Sequence, residues 1–286
     1  MTAHGYIGLG AMGAAMCRHQ LDQGLELVVH DIDAHAVAGL VEQGARAAAS
    51  AAEVAEACDL IEICVPAAAH IEAVVDGPGG IAETARPGTT LLIHSTVHPD
   101  TMRSVADRAG AWHGASHDVC VGGGTVNAEQ GTLVLFVGGL ADLSPAAREL
   151  LDVVGSDVID AGSVGAGAAV KIGFNVMTYS QFAAARTALA LVEAHGAAPD
   201  DLVEAWRHAG QLGALTERAL PLFSMTPDVV EQFGMTDDMR TNVDIARKDL
   251  DLAQQVGRAG GPTDGYLAAL SQLMATVYSV EDTEDE

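Results

Sequence analysis

The sequence is poor in basic residues, and above all in lysine. Of its 286 residues, 14 are Lys or Arg and 39 are Asp or Glu, which gives a formal net charge of -25. Only two of the basic residues are lysines, Lys171 and Lys248. So negative a chain repels phosphate backbones and anionic lipid, which makes nucleic acid and membrane surfaces poor candidate partners. Because lysine can lose its proton where arginine cannot, the two lysines are candidates for a role that arginine cannot fill.

Cysteines and long apolar runs are also scarce. The four cysteines contain no C-x-x-C pair, which argues against a zinc ribbon or a redox dithiol and is typical of buried thiols in a reducing cytoplasm. No segment offers the ~20 consecutive apolar residues that a transmembrane helix needs. The N-terminus lacks the basic start and the small-residue cleavage site of a signal peptide, so we expect a cytoplasmic protein.

The pattern along the chain predicts two domains, in agreement with a length near two average domains. Up to about residue 164, short apolar runs alternate with helical patterns, which is typical of an α/β fold with a parallel sheet. From residue 165 to 280 the patterns are helical, and the first of these helices, residues 166–194, is apolar on nearly every face. Residues 281–286 are acidic and lack apolar side chains, which predicts a disordered tail.

A glycine-rich turn follows the first predicted strand and opens the first predicted helix. The pattern G-x-G-x-x-G is formed by Gly8, Leu9, Gly10, Ala11, Met12 and Gly13. In dinucleotide-binding turns the first glycine permits the tight turn, the second lets the backbone approach a pyrophosphate, and the third allows the helix to pack closely. The pyrophosphate then lies at the helix N-terminus. An ordinary tight turn is the alternative interpretation of the glycines alone.

Asp31 lies at the end of the second predicted strand, 21 residues after Gly10. An acidic side chain at this place accepts hydrogen bonds from the adenosine ribose hydroxyls. No nearby arginine would attract a 2′-phosphate, and Asp31 would repel one. The sequence therefore predicts NAD, and not NADP, as the cofactor.

Lys171 lies inside the apolar helix predicted over residues 166–194. Burial of an ammonium group is costly and usually lowers its pKa. A lysine tuned in this way can take a proton from a substrate hydroxyl or return one to a carbonyl. Asn175 projects from the same helix face, one turn later, where it could hold the substrate or orient the lysine. The alternative is that the lysine extends to solvent at the helix edge.

Five motifs then stand in the order typical of one enzyme family. They are the turn Gly8–Gly13; Ser95-Thr96 in an S-T-x-x-P loop; Asp118–Gly124 followed by Ala128–Leu133; Gly165-Ala166-Gly167 with Lys171 and Asn175; and Lys248-Asp249-Leu250. With these motifs, which span nearly the whole chain, the sequence resembles the β-hydroxyacid dehydrogenases, a family that includes 3-hydroxyisobutyrate dehydrogenase and tartronate semialdehyde reductase.

The resemblance implies an N-terminal Rossmann-type NAD-binding domain over residues 1–164 and an all-α domain over residues 165–280, joined by the long helix. It implies a dehydrogenase of a small β-hydroxy acid, with Lys171 as catalytic acid/base and Asn175 as its companion. A homodimer or homotetramer is expected. The expected cofactor-binding residues are Gly8, Leu9, Gly10, Ala11, Met12, Gly13, Asp31, Val65, Pro66, Ser95, Thr96 and Lys248. The expected substrate-binding residues are Ser95, Gly122, Gly123, Gly124, Lys171 and Asn175.

The chain departs from the family pattern at three positions. Gly122 stands where relatives usually carry a serine whose hydroxyl helps to bind the substrate carboxylate. Cys120 replaces a proline, and Ile93 replaces an aspartate. Since Gly122 leaves more room, we expect a larger or differently oriented hydroxy acid than 3-hydroxyisobutyrate.

The sequence also contains two histidine pairs and allows two other functions. His94 with His98, and His113 with His117, are each spaced as metal ligands on a helix would be. Because the first pair falls on a predicted strand and loop before Pro99, no metal is expected. The alternative functions are reduction of an aldehyde or imine, and a non-catalytic NAD(H) sensor or scaffold.

Overall fold

A computed structural model describes residues 4–257 and 263–281. Its contacts divide the chain between Lys171 and Ile172 into two compact units. The acidic tail predicted over residues 281–286 lies, apart from Glu281, outside the described residues. The two domains predicted with a boundary at residue 164 stay a prediction.

The first unit is built on one eight-stranded sheet. Its strands are β1 (His4–Ile7), β2 (Leu27–His30), β3 (Arg46–Ala47), β4 (Leu60–Ile63), β5 (Thr90–Ile93), β6 (Ala115–Gly122), β7 (Leu133–Gly138) and β8 (Gly155–Gly162). They are ordered β3-β2-β1-β4-β5-β6-β7-β8. All neighbours are parallel except β6 and β7. The strand order reverses between β1 and β4, which is where open α/β sheets bind ligands at their carboxyl edge.

Thirteen α-helices lie in the described residues. They are α1 (Ala11–Asp22), α2 (Ala34–Val41), α3 (Ala51–Ala57), α4 (Ala68–Asp76), α5 (Pro99–Ala109), α6 (Thr125–Glu129), α7 (Pro145–Val154), α8 (Ala166–Ala194), α9 (Pro199–Ala209), α10 (Ala214–Phe223), α11 (Pro227–Gln232), α12 (Thr236–Val256) and α13 (Asp264–Val277). Short polar side chains start several of them: Asp33, Ser50 and Ser144 each accept a hydrogen bond from a first-turn amide. None of these helices is both long and apolar enough to cross a bilayer.

Each unit has its own apolar core. In the first, buried side chains of the sheet such as Val29, Val119 and Leu135 pack with Met16 of α1 and Leu150 of α7. In the second, buried residues of all the helices from α8 to α13 form a separate cluster. Within that cluster the rings of Phe182 and Phe223 meet edge to face with centroids 5.4 Å apart, a favourable aromatic arrangement.

The structure confirms the α/β fold, the Rossmann-like N-terminal part and the helical C-terminal part. Helix α8 has the bounds that its apolar pattern predicts. Three strands were not predicted: β3, β6 and β8. β3 has only two residues, and β8 is a largely exposed edge strand rich in Gly and Asp, so neither carries an apolar alternation. β6 is buried along most of its length, although its sequence includes His117 and Asp118.

A buried carboxylate fixes the start of α8. Asp118 on β6 is fully buried, and its two oxygens accept hydrogen bonds from the amides of Gly165 and Ala168, both at 2.8 Å. Helix N-termini have unpaired amides and a positive dipole end, so an anion there is stabilising. A Cβ at Gly167 would lie 2.4 Å from the carbonyl oxygen of Phe136 and 2.8 Å from Asp118 Oδ2. Glycine is therefore required for the helix to approach the sheet.

Gly167→Ala should lower the free energy of unfolding by roughly 1–3 kcal/mol, because the added methyl group has no space. Gly173→Ala, on the same helix, is the matched control: its Cβ meets none of the described atoms within 4 Å. It should raise stability by about 0.5–1 kcal/mol through helix propensity. Thermal and urea unfolding midpoints of the two variants test this, and equal shifts would contradict the close packing at Gly167.

Candidate active site

The glycine turn between β1 and α1 is held tightly on one side and open on the other. Gly8 has φ +96°, and a Cβ there would lie 2.3 Å from the carbonyl oxygen of Cys64 at the end of β4. A Cβ at Gly13 would lie 2.0 Å from the carbonyl oxygen of Gly8. A Cβ at Gly10, by contrast, would meet none of the described atoms within 4 Å. The described residues thus leave open space beside Gly10.

This open turn fits the pyrophosphate of a dinucleotide. Helix α1 begins at Ala11, directly after Gly10, and the first amides of a helix have no acceptor inside it. An anion at this position satisfies these amides and meets the positive end of the helix dipole. The residues that would hold the cofactor here are those of the turn, Gly8, Leu9, Gly10, Ala11, Met12 and Gly13.

Asp31 lies beside the turn, directly after β2. Its Oδ2 accepts a hydrogen bond from the amide of Leu9 at 2.5 Å, and its Oδ1 accepts one from the amide of Asp33 at 2.8 Å. Two backbone donors therefore fix the carboxylate next to the first glycines. The structure brings together the turn and the acidic side chain that the sequence analysis singled out.

Ser95 lies where β4, β5 and β6 end. Its Oγ accepts a hydrogen bond from the amide of Val65 at 2.9 Å, and its carbonyl oxygen lies 3.5 Å from the Sγ of Cys120. Ser95 is buried, whereas Thr96 and Val65 are half-buried and Pro66 is exposed. These four predicted cofactor-binding residues thus share the carboxyl edge of the sheet with the glycine turn.

A buried polar network under this loop was missed by the sequence analysis. The Nε2 of His94 lies 2.9 Å from Glu62 Oε2, and the Nε2 of Gln20 donates to Glu62 Oε1 at 2.8 Å. The Nδ1 of His94 lies 2.8 Å from the carbonyl oxygen of Val119, so this nitrogen carries a proton. The polar side chains are buried within the sheet and α1, and no local pattern marks such a pairing. The network ties the residue before Ser95 to β4 and β6.

The paired histidines have separate structural roles. His94 belongs to the network described above, whereas His98 caps α5 by accepting a hydrogen bond from the amide of Asp100 at 3.1 Å. His113 is exposed in a left-handed conformation with φ 55°, while His117 is buried, which lowers its pKa. Among the described residues, no group of three or more His, Cys, Asp or Glu side chains could hold a metal ion.

The glycine segment after β6 combines one strand residue with two turn residues. Gly122 is buried and pairs with Val134 on β7. Gly123 and Gly124 have φ values of +130° and +81°, a region that L side chains rarely adopt. Gly122 is not among the glycines with positive φ, so its backbone can accept a serine. A serine at position 122 would therefore not require a strained backbone.

Lys171 and Asn175 lie one turn apart on α8, as the sequence predicts. Lys171 is half-buried and Asn175 is 6% exposed. The Nδ2 of Asn175 donates a hydrogen bond of 2.6 Å to the Oδ2 of Asp249 on α12. Lys248 directly precedes Asp249 in the sequence, and its Nζ lies 3.1 Å from Asp249 Oδ1. The roles predicted for Lys171, Asn175 and Lys248 in catalysis and cofactor binding stay predictions.

One tyrosine contacts the Asp249 carboxylate and a second, Tyr278, is affected by its charge; neither was predicted. The hydroxyl of Tyr179 donates to Asp249 Oδ2 at 3.0 Å. Burial, and then the charge of Asp249, hold the pKa of Tyr179 well above its usual value and raise the pKa of Tyr278 to about 12. Both phenols are therefore protonated at neutral pH. The one sequence signal for this cluster was the aspartate of the Lys248-Asp249-Leu250 motif.

Comparison with known proteins places these motifs in a family. The sequence profile of the NAD binding domain of 6-phosphogluconate dehydrogenase matches residues 3–165. 2-(Hydroxymethyl)glutarate dehydrogenase of Eubacterium barkeri is 34% identical over 270 residues, which cover 94% of this chain and 87% of that protein. The chain belongs to the β-hydroxyacid dehydrogenase family. The 3-hydroxyisobutyrate dehydrogenase of Pseudomonas aeruginosa is 33% identical over an alignment that covers 100% of this chain and 95% of that protein.

The fold of this β-hydroxyacid dehydrogenase agrees with that of solved structures. The 3-hydroxyisobutyrate dehydrogenase of Mycobacterium tuberculosis, solved with L-serine, superposes with a TM-score of 0.80 over 99% of this chain and 96% of its own, at 24% identity. The chain is an oxidoreductase that transfers hydride between a nicotinamide dinucleotide and a small hydroxy acid.

Proposed function

We propose that this protein is an NAD-dependent dehydrogenase that interconverts a small β-hydroxy acid and its semialdehyde or keto form, with Lys171 as the general acid/base. The observation that carries the proposal is the arrangement of α8. A half-buried lysine stands one turn before a buried asparagine on a helix whose start is fixed by the Asp118 carboxylate. Such a fixed pair suits proton transfer to and from a substrate hydroxyl.

In the direction of oxidation, neutral Lys171 accepts the proton of the substrate hydroxyl, while Asn175 holds the lysine or the substrate in place. A nicotinamide dinucleotide, when bound, would supply the acceptor for the hydride that leaves the carbinol carbon. Ser95, Thr96 and Lys248 would contact the cofactor, and the amides of Gly122, Gly123 and Gly124 would contact the substrate. In reduction, the Lys171 ammonium returns the proton to the carbonyl oxygen.

Replacement of Lys171 tests this role. Lys171→Ala should lower kcat by about 10²- to 10⁴-fold, the usual contribution of a general acid/base, and leave the Kd for NAD nearly unchanged. Arginine stays protonated at neutral pH and can neither accept nor release a proton there, so Lys171→Arg should be as inactive as Lys171→Ala. Initial rates and titration calorimetry with NAD give the two readouts. Turnover retained in either variant would remove Lys171 from this role.

Asp31 supports the preference for NAD over NADP. The carboxylate is fixed by the amides of Leu9 and Asp33, beside the turn that would hold the pyrophosphate. A 2′-phosphate on the adenosine ribose would meet this negative charge at close range, whereas ribose hydroxyls can donate to it.

Asp31→Ser should therefore raise kcat/KM for NADP relative to NAD by at least about tenfold, since removal of one close charge repulsion is worth more than 1 kcal/mol. Asp33→Ser, two residues later, is the control and should leave the ratio within about twofold. Equal cofactor ratios in the wild type and Asp31→Ser would contradict the assignment.

The proposed substrate is larger than 3-hydroxyisobutyrate. Two observations support this: Gly122 offers a backbone amide without a side chain, and a relative that is 34% identical acts on 2-(hydroxymethyl)glutarate, a longer hydroxy acid. The homodimer or homotetramer and the cytoplasmic location stay predictions.

Gly122→Ser should shift the substrate preference toward small hydroxy acids, because the new hydroxyl adds a donor for the substrate carboxylate and removes space. We expect the ratio of kcat/KM for 3-hydroxyisobutyrate to that for 2-(hydroxymethyl)glutarate to rise by about 5- to 100-fold, the range for one altered contact. Unchanged relative kcat/KM across a hydroxy-acid panel would refute the role of Gly122.

A further inference from the structure

A buried carboxylate outside the proposed reacting groups contacts Asn175 directly. Asp249 on α12 is 2% exposed. Its Oδ2 accepts hydrogen bonds from Asn175 Nδ2 at 2.6 Å and from the hydroxyl of Tyr179 at 3.0 Å, and Lys248 Nζ lies 3.1 Å from its Oδ1. Burial of a carboxylate is costly unless donors surround it, and here three donor groups lie within 3.1 Å of the Asp249 oxygens.

The chemistry of the pair fixes the orientation of the Asn175 amide. An ionised carboxylate only accepts hydrogen bonds, so the side of the amide that faces Asp249 is the NH2 group. Because the amide is planar, its carbonyl oxygen then points to the other side. With the opposite orientation two acceptor oxygens would face each other in a buried place, which costs free energy. Tyr179, which stays protonated because burial raises its pKa, adds a second donor to the same oxygen.

We propose that Asp249 is a positioning residue that acts through Asn175, holding the Asn175 amide so that its Oδ1 is presented as a hydrogen-bond acceptor at the reacting centre. This rests on the proposed function, in which Asn175 accompanies Lys171. The substrate hydroxyl gives its single proton to Lys171, so it has no proton left to donate to the amide oxygen of Asn175. The donor to this oxygen is therefore an N–H of Lys171, which lies one turn earlier on α8. This hydrogen bond orients the lone pair of the neutral Lys171 amine. The ammonium form of Lys171 donates the same hydrogen bond to the amide oxygen.

Asp249→Asn removes the constraint, because an amide at position 249 can face Asn175 with either its oxygen or its NH2 group. Its kcat/KM for the hydroxy acid should fall by roughly tenfold or more, the equivalent of one net hydrogen bond in the transition state. The KM for NAD should stay within about twofold. Asp251→Asn makes the same chemical change on the same helix at an exposed position and should leave kcat/KM within about twofold.

An exchange of the two residues tests orientation and not only packing. In Asn175→Asp two carboxylates face each other, and kcat/KM should fall strongly. In the double variant Asn175→Asp/Asp249→Asn, the amide at 249 donates to the carboxylate at 175, which again presents an acceptor oxygen outward. This exchange should recover kcat/KM by about tenfold over Asn175→Asp alone. In an Asn175→Ala background, Asp249→Asn should change kcat/KM by less than about twofold.

Urea unfolding midpoints of the same variants give a readout that does not depend on turnover. The midpoint should fall in Asn175→Asp, recover in the exchange variant and stay unchanged in Asp251→Asn. Failure of the exchange to recover kcat/KM, or independent effects of Asp249→Asn and Asn175→Ala, would overturn the positioning role. If the wild type oxidises no hydroxy acid, the proposed function and the role at the reacting centre both fail, and the urea midpoints alone decide whether Asp249 fixes Asn175.

Discussion

The two hydrogen bonds between the Asp118 carboxylate and the start of α8 are the constraint on which the proposed chemistry depends. Its oxygens bind the amides of Gly165 and Ala168, and Lys171 follows within one helical turn. Since each residue turns an α-helix by about 100°, a shift of one residue at the start would point the lysine elsewhere. Position 167 requires glycine because the backbone of the sheet leaves no room for a side chain there.

Carboxylates surrounded by hydrogen-bond donors occur at several places in the molecule, so some of its many acidic residues have a structural role. Asp31 binds two amides beside the glycine turn, Glu62 is paired with His94 and Gln20, and Asp249 binds Asn175 and Tyr179. Each of these carboxylates fixes the backbone amides or side chains that contact it. In the proposed function, the attraction of an anionic substrate by a chain of net charge -25 therefore falls to Lys171, Lys248 and backbone amides.

Local patterns predicted the parts of this structure that local physics determines. The glycine turn, the apolar helix α8 and the alternation of strands and helices all follow from neighbouring residues. Pairings across long stretches of chain did not follow. Glu62 meets His94 across two strands, and Asn175 meets Asp249, 74 residues later, across two helices. Neither pair leaves a periodic trace, and the edge strand β8 has too few buried apolar residues to resemble a strand.

The activity that we propose for this chain is the oxidation of a β-hydroxy acid with NAD. The most direct measurement is the formation of NADH by the purified wild type with a panel that includes 3-hydroxyisobutyrate, 2-(hydroxymethyl)glutarate and L-serine. We expect turnover with at least one member, and faster turnover with NAD than with NADP. Absence of NADH formation with every member, while calorimetry shows that NAD binds, would contradict it and indicate a non-catalytic NAD(H) sensor.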